Sequence, residues 1–295
     1  MVNLKFQQII DKNHLLKRTI FYSFLRFTII NFLLNFVKKI KIMKKLLYSF
    51  FALIILFSFS CKEDPTSGQV EVNLVHKIGT ENVEKDDIKY DSPAGHKYSV
   101  TTLKYFLSHI QLLKSGDDFE LQKYYYVDID DSNTLRFNIS NVAPGKYNQL
   151  KLTFGIPRTE NVVENLPNSV EVQNMAWPTP LKSTDISPSG DFHYQKYEGR
   201  YDSLNTGNIS SFAIHLGPTK GNDNSFDVIL DMDEVEVDGN EWSIDLNIDL
   251  NEWLKSPKIY NFYQFGHMIM PNQTAQEYLK ANGSTVFSVG NVTQK

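Results

Sequence analysis

The pattern that most constrains the fold is a strict alternation of apolar and polar residues near the end of the chain. Every second residue from Trp242 to Leu250 is large and apolar, and the residues between them are polar. A period of two gives a strand one face in a core and one face towards water. The turn Asp238-Gly239 separates this segment from an apolar run ending at Val237, so the pattern predicts a β-hairpin.

Shorter segments with the same period recur from residue 70 onward. Residues 135–139 alternate cleanly, Pro144-Gly145 follows, and the apolar run 147–156 comes next, which predicts a second hairpin-like pair. Further strands are predicted within 70–76, 98–113, 124–129, 192–197, 211–215 and 226–229, with a helix as the alternative at 103–107. A short helix is predicted at 275–281.

Many short strands with regular turns and no internal repeat are typical of an all-β fold. We therefore predict an antiparallel β-sandwich, Greek-key-like, with long irregular loops and a short C-terminal helix, over residues 70–295. Residues 158–190 have no clear period and form the longest predicted loop. Loops of that length are often functional, and a mobile insertion is the alternative.

Cys61, the only cysteine, follows a segment with the layout of an export signal. Met43 is followed by two lysines, residues 46–57 are largely apolar, and Ser60 is a small residue directly before the cysteine. This order predicts a signal peptide over 43–60. It resembles a bacterial lipoprotein signal, which implies lipidation of Cys61 and a tether over 61–69. An uncleaved signal anchor is the alternative, although the apolar run is shorter than a ~20-residue membrane span.

Residues 1–42 are interpreted as a leader from an over-extended gene start, with Met43 as the true initiator. A transmembrane helix over 20–37 is the alternative, but a central Arg26 would cost roughly 2.5–3.5 kcal/mol. Residues 1–45 contain ten Lys and Arg and one acid, a net +9 against −4 for the whole chain, which leaves −13 for the remainder. An acidic exported protein is a poor candidate for nucleic acid and suits a cation.

The residues directly after Cys61 also bear on localisation. Lys62, Glu63 and Asp64 resemble a signal that sends lipoproteins to the outer cell surface in one group of Gram-negative bacteria. We therefore expect an outer-membrane lipoprotein exposed on the cell surface, with a solvated tether as the alternative explanation. A single cysteine also excludes an intrachain disulfide, so the core must stabilise the domain unaided.

Histidines at strand ends are the main candidates for function, because the common catalytic signatures are absent from the sequence. We therefore expect no enzymatic activity. His76 and His215 each close a predicted strand, and a glycine follows each within three residues. Imidazole nitrogen is a common ligand for copper and zinc, so the pair is predicted to bind metal, with structural roles as the alternative.

Four further residues are candidates for additional ligands or for lining such a site. His267 and Met268 are adjacent, and a soft thioether beside an imidazole suits Cu(I); core packing is the alternative. His193 lies between the aromatic residues Phe192 and Tyr194, whereas His96 and His109 are predicted to be surface or packing residues. Trp177 lies in the irregular loop, where it would stack on the site, exclude water or be oxidised, with simple packing as the alternative.

An ordered series of short segments resembles MbnP-like domains and covers nearly all of the exported chain, roughly residues 70–292. The matching segments are VNLVHKIG (72–79), YDSPAG (90–95), YSV (98–100), LKYFLS (103–108), VAPGKY (142–147), FGI (154–156), MAW (175–177), YEG (197–199), IHLG (214–217) and MIMP (268–271). The family is named for its association with methanobactin, a copper-carrying peptide.

The resemblance implies an exported copper-binding protein in which histidines and an oxidised tryptophan, kynurenine, contact the metal. It implies copper ligands at His76 and His215, oxidation or site lining at Trp177, and a MauG-type di-haem oxidase as a partner. The alternative function is a cell-surface interaction module that binds glycan or a protein. Its contacts would be tyrosines, namely Tyr124, Tyr125, Tyr126, Tyr194 and Tyr197.

Overall fold

The structure is a computed structural model that describes residues 64–114 and 117–295 together with parts of 23–50. The chain divides into two compact units, Met1–Asp64 and Pro65–Lys295. In the first unit the described residues between 23 and 50 are helical. None of the helices in the described parts of the chain has the length and apolar character needed to cross a membrane. The predicted lipidation site, Cys61, lies outside the described residues.

The second unit contains two sheets, of which the smaller has five strands. Its strands are β1 (Gly68–Ile78), β2 (Glu81–Asn82), β7 (Arg136–Val142), β12 (Glu241–Asp249) and β13 (Phe287–Gln294). The order is β13-β12-β1, with β2 and β7 pairing along the other edge of β1. β1 and β12 run parallel, with His76 opposite Ile248, while the other pairs are antiparallel.

The larger sheet has eight strands, and all its pairs are antiparallel. The strands are β3 (Tyr90–Asp91), β4 (Lys97–Tyr98), β5 (Thr102–Lys114), β6 (Asp117–Asp128), β8 (Gly145–Phe154), β9 (Gln195–Asp202), β10 (Ile209–Leu216) and β11 (Phe226–Val237). The order is β11-β8-β5-β9-β4-β3, with β6 paired to β5 and β10 paired to β9. The main core combines apolar residues from both sheets, such as Val72 and Leu246 from one and Leu107 and Leu152 from the other.

The helices are short and lie in the connections between strands. They are α1 (Val170–Gln173), α2 (Phe262–Phe265) and α3 (Gln273–Asn282). α3 begins after Asn272, whose side chain accepts a hydrogen bond from the backbone of Ala275, and this N-cap satisfies a backbone donor of the first turn. Short 3₁₀ helices occupy Ser132–Thr134, Val163–Asn165, Thr179–Leu181, Ser203–Asn205, Thr219–Gly221, Glu252–Leu254 and Gly283–Thr285.

The predicted antiparallel sandwich and the short C-terminal helix are confirmed, but both predicted hairpins are wrong. β7 pairs with β1, whereas β8 pairs with β5 and β11 in the other sheet. β11 and β12 likewise belong to different sheets, so the turn Asp238-Gly239 joins the sheets instead of closing a hairpin. Alternation shows that a strand has one buried face, but it does not identify the neighbouring strand. Residues 103–107 form a strand, not the alternative helix.

The long irregular loop packs on the outer face of the eight-stranded sheet. Tyr105 and Leu107 belong to the main core, so Phe106 between them points to the opposite face, because successive side chains in a strand alternate. Phe106 there forms a second, smaller core with Ile156, Leu166, Val172, Met175 and Phe192. This small core fixes the loop that carries Trp177 and the segment that carries His193.

Candidate metal centre

Three aromatic side chains that are separated along the sequence come together on the outer face of the eight-stranded sheet, beside the second core. The ring centroids of Trp177 and His193 are 4.8 Å apart, and those of His193 and His215 are 5.0 Å apart with the planes at 89°. Trp177 and His193 are 2% and 3% exposed, and the side chain of His215 is 13% exposed. We call these three residues the outer-face centre.

Backbone hydrogen bonds hold the loop in place beside β9. The N–H of Trp177 donates to the carbonyl of Asp191 at 2.6 Å, and the N–H of His193 donates to the carbonyl of Met175 at 2.7 Å. A short antiparallel bridge joins Ala176 to Phe192 between these two bonds. These contacts fix the loop against the segment that precedes β9. Trp177 of the loop and His193 of that segment therefore lie side by side.

Gly217, directly after β10, lets the indole ring approach the backbone. A Cβ atom at this position would lie 2.3 Å from Cζ3 of Trp177, far inside van der Waals contact. The Gly217 N–H donates to Oε1 of Gln276, and its carbonyl accepts from Nδ2 of Asn224, so the backbone here cannot easily move away. The glycine that follows the strand therefore has a steric role at the centre.

His193 is held in one tautomer by a backbone carbonyl. Its Nδ1 lies 2.9 Å from the oxygen of Met175, and a carbonyl oxygen only accepts, so the proton is assigned to Nδ1. Nε2 then carries a lone pair; it is buried and has no hydrogen-bond partner among the described residues. Burial is the main cause that lowers the pKa of His193 to about 3, so its imidazole is neutral at physiological pH.

His215 is oriented by a carboxylate. Its Nε2 lies 2.7 Å from Oε1 of Glu198, and this hydrogen bond is the main cause that lowers the pKa of the Glu198 carboxyl. The ionised carboxylate only accepts, so Nε2 of His215 carries a proton, and in the tautomer with that single proton the lone pair lies on Nδ1. That Nδ1 is also buried, and no group in the described chain forms a hydrogen bond with it.

Each of the two adjacent histidines thus has a buried lone pair that accepts no hydrogen bond from the described residues. We call Nε2 of His193 and Nδ1 of His215 the open nitrogens. A buried polar atom without a partner costs roughly 1–3 kcal/mol, so two of them in neighbouring rings call for an explanation. Metal-binding histidines typically donate their other ring N–H to a carbonyl or carboxylate, as both rings do here. The arrangement therefore fits a metal centre with two imidazole ligands.

Trp177 completes one side of this centre without supplying a ligand in its unmodified form. Its Nε1–H is buried and unpartnered within the described part of the chain. An indole N–H is only a donor, so it cannot bind a cation. Among the described residues, no group of three or more His, Cys, Asp or Glu is placed to hold a metal. Imidazole ligands suit copper, zinc, iron and nickel better than they suit a hard cation.

The structure does not bring together His76 and His215, the two residues predicted to bind metal as a pair. His76 lies in the main core, where its Nε2 is 2.9 Å from the hydroxyl of Tyr105, and burial lowers its pKa to about 4. His215 is paired in register with Lys196, which is paired with Lys104. Lys104 and Tyr105 are consecutive in β5, so their side chains point to opposite faces. The two histidines therefore contact opposite faces of the eight-stranded sheet.

His267 and Met268 lie near the outer-face centre but are exposed. Both belong to the segment between α2 and α3, and both line a cleft that His215 also lines. Ile269 is the buried residue of this segment, so the alternative of core packing does not hold for Met268. Their roles as ligands remain predictions.

Two orienting groups were not identified from the sequence. These are the carboxylate of Glu198 and the carbonyl of Met175, which fix the tautomers of the two histidines. Glu198 belongs to the matching segment YEG (197–199), but its proximity to His215 follows only from the pairing of β9 with β10. A backbone carbonyl has no sequence signal at all.

The tyrosines named for the alternative interaction module are largely part of the cores. Tyr194 and Tyr197 are fully buried, and the ring of Tyr125 packs 4.4 Å from that of Phe137. Tyr124 and Tyr126 pack partly against the second core. The described surface therefore does not present these five rings as one binding face.

A match to a family model agrees with the resemblance seen in the sequence. The family model of MbnP matches residues 67–271, more than half of the chain and including all of the outer-face centre. Among solved structures, MbnP from Methylosinus trichosporium aligns with 76% of this chain and 98% of that chain, at 12% identity and a TM-score of 0.46. Among curated proteins, none matches this sequence. On the family match, this chain belongs to the MbnP family.

Proposed function

We propose that this protein binds copper at the outer-face centre and has no catalytic turnover of its own. The observation that carries the proposal is the pair of open nitrogens in adjacent, buried imidazoles. Membership of the MbnP family, which is associated with methanobactin and copper, supports the choice of metal. An acidic exported domain is also compatible with a cation as its ligand.

In this proposal His193 takes the ligand position that the sequence suggested for His76. His193 and His215 bind the metal through the open nitrogens, while Met175 and Glu198 hold the rings in the required tautomers. His76 instead stabilises the main core through Tyr105. His76 contacts the main-core face of the eight-stranded sheet, whereas His215 lies on the outer face. The two therefore cannot bind the same metal ion, and His193 replaces His76 as the second ligand.

Trp177 is the residue proposed for oxidation to kynurenine by a MauG-type di-haem partner. Its indole lies against His193 and is only 2% exposed, so a partner would act on it from a distance through the protein. Opening of the indole ring would replace a group that only donates by a ketone and an amine that carry lone pairs. The product would then present additional donors beside the open nitrogens.

Copper uptake by single-histidine variants tests the assignment. Wild-type protein is expected to take up about one copper, and His193→Ala and His215→Ala are expected to abolish stoichiometric uptake, because each removes a ligand of a two-imidazole site. His76→Ala is the matched control, since it deletes a similarly buried histidine on the other face. Circular dichroism would verify folding of each variant. Retained uptake in folded His193→Ala and His215→Ala would contradict the assignment.

We further propose that the protein is exported through the signal peptide 43–60, lipidated at Cys61 and anchored in the outer membrane, facing the cell surface. The order of charged, apolar and small residues before the cysteine supports this. Intact-mass spectrometry of protein from its host should show a diacylglyceryl modification, which Cys61→Ser should remove. Protease treatment of intact cells should degrade a surface-exposed protein. A mature protein beginning at another residue, without lipid, would exclude the anchor.

A further inference from the structure

A cleft of about 370 Å³ lies beside the outer-face centre. One of its walls consists of β9 and β10 residues, and the other is the segment 267–270. The side chains that bear charge or soft donor atoms in its lining are Glu198, Arg200, His215, His267, Met268 and Met270. His215 therefore belongs both to the buried centre and to the wall of the cleft. We call this space the methionine cleft.

The segment that carries the two methionines is fixed by its backbone. The carbonyl of His267 accepts from the N–H of Ala213 in β10, and the carbonyl of Met270 accepts from the hydroxyl of Thr219 at 2.7 Å. Between them Ile269 is fully buried. Met268 and Met270 therefore flank an anchored residue, and their side chains are presented to the cleft instead of to the core.

Burial increases from the mouth of the cleft to the outer-face centre. Met268 is 56% exposed, Met270 is half-buried and the side chain of His215 is 13% exposed. At His215, the Nε2 edge is bonded to Glu198, which also lines the cleft, while Nδ1 is one of the open nitrogens. The ring of His215 thus lies between the methionine cleft and the outer-face centre.

The donor atoms along this gradient favour a soft, singly charged metal ion. Thioether sulfur prefers Cu(I) to hard cations, and an imidazole supplements it at His267. Arg200 also lines the cleft, with its guanidinium donating to the carbonyl of Asp86. Its positive charge opposes a monovalent ion about half as strongly as a divalent one at the same distance, since Coulomb energy scales with charge.

We propose that Met268 and Met270, together with His267, form a second, transient Cu(I) site through which the ion reaches His193 and His215. This inference rests on the proposed copper function of the outer-face centre. The transfer is a ligand exchange in which Cu–S bonds break as Cu–N bonds form. No electron is transferred, and no proton is released, because the open nitrogens already carry lone pairs.

Binding in the cleft can be measured without the buried centre. In His193→Leu protein with ¹³C-methyl methionine, Ag(I), a redox-inert soft ion, is expected to shift the methyl resonances of Met268 and Met270. Met232 is the internal control, because it is only partly buried but belongs to a different cleft. Equal shifts at Met232, or none at Met268 and Met270, would overturn the second site whether or not the outer-face centre binds copper.

The delivery role is tested by the rate of copper loading. Stopped-flow absorbance would follow the transfer of Cu(I) from its bicinchoninate complex to wild-type protein and to Met268→Leu/Met270→Leu. We expect the final stoichiometry to be unchanged and the rate to fall roughly tenfold, because leucine keeps the volume but removes the soft donor. Met232→Leu should load at the wild-type rate.

The outcomes separate this inference from the proposed function. An unchanged loading rate in the double variant, with full final loading, would reject delivery through the cleft and leave copper binding intact. A wild-type protein that takes up no copper would reject the proposed function, while the Ag(I) shifts would still decide whether the cleft binds soft ions.

Discussion

The main core and the outer layer of the eight-stranded sheet each bury histidine, but the two environments differ in hydrogen bonding. His76, in the main core, has Tyr105 as a partner for its Nε2. His193 and His215, on the outer layer, each use one nitrogen for an orienting acceptor and leave the other open. Burial alone therefore does not distinguish a structural histidine from a candidate ligand. The unsatisfied lone pair does.

The largest expected effect that tests this comparison is stabilisation by copper. A metal that binds only the folded state adds about 4.1 kcal/mol at a thousandfold excess over the dissociation constant. Copper should therefore raise the melting temperature of wild-type and His76→Ala protein, but not that of His193→Ala. Differential scanning calorimetry with and without Cu(I) measures this. Equal shifts in all three proteins would remove the distinction between the two environments.

The contribution of each buried histidine to the pH dependence of apo-protein stability should come next in size. The folded pKa of His76 is about 4, below the 6.5 of an unperturbed imidazole, so the unfolded chain binds more protons between these values. Stability should be highest above pH 6.5 and fall by roughly 3 kcal/mol as the pH drops to 4, at 1.36 kcal/mol per unit. His193, with a pKa of about 3, adds a similar loss that continues to lower pH.

Urea unfolding between pH 4 and 7 would resolve the two contributions. His76→Leu should remove its own part of the slope and leave that of His193, whereas copper saturation should leave the part that belongs to His76 unchanged. A stability curve that is flat from pH 7 to pH 4 would contradict the neutral, buried state of both rings.

Removal of the carboxylate that orients His215 should weaken the centre without destroying it. Glu198→Ala is expected to lower copper affinity by roughly 10–100-fold, the usual effect of losing an outer-shell partner. Glu198→Gln should restore part of the affinity, because its amide oxygen still accepts from Nε2. Glu252→Gln, which alters an ion pair with Lys255 in another part of the domain, is the control for loss of a negative charge. Competition with a chromophoric copper chelator measures the affinities.

The smallest expected effect concerns the partner of His76. Tyr105→Phe removes one buried hydrogen bond and leaves the imidazole without it, which should cost roughly 1–3 kcal/mol in chemical unfolding. Copper affinity should be unchanged, because Tyr105 points to the main core. A loss of copper binding in this variant at unchanged secondary structure would mean that the two faces of the sheet are coupled.

The positions of most strands were predictable from the sequence, whereas the pairing of one strand with another was not. The alternation from Trp242 to Leu250 predicted β12 because side-chain period is a local property. The same local signal gave two hairpins that do not form, since β7 and β8, and likewise β11 and β12, lie in different sheets. The parallel pairing of β1 with β12 joins residues about 170 positions apart, and no local pattern encodes it.

The sequence predicted the kinds of side chain in the candidate site, but not which of the candidate residues come together. His215 and Trp177 were identified from a strand-end position and from the resemblance, and His193 was only one of several further candidates. The contacts of His193 with Trp177 and His215 depend on the bridge between Ala176 and Phe192 and on the second core beneath the loop. Without that packing, residues 158–190 show no periodic signal from which the position of the loop could be read.

The sequence by itself determined the strand content, the family and the kinds of side chain available for binding, because periodicity and short motifs are properties of neighbouring residues. The tertiary structure alone decided which faces of the sheet those side chains occupy and which ring nitrogens carry protons. Those properties depend on strand register and on hydrogen-bond acceptors from remote segments. Two histidines that look equivalent along the chain, His76 and His215, are for that reason placed in chemically different surroundings.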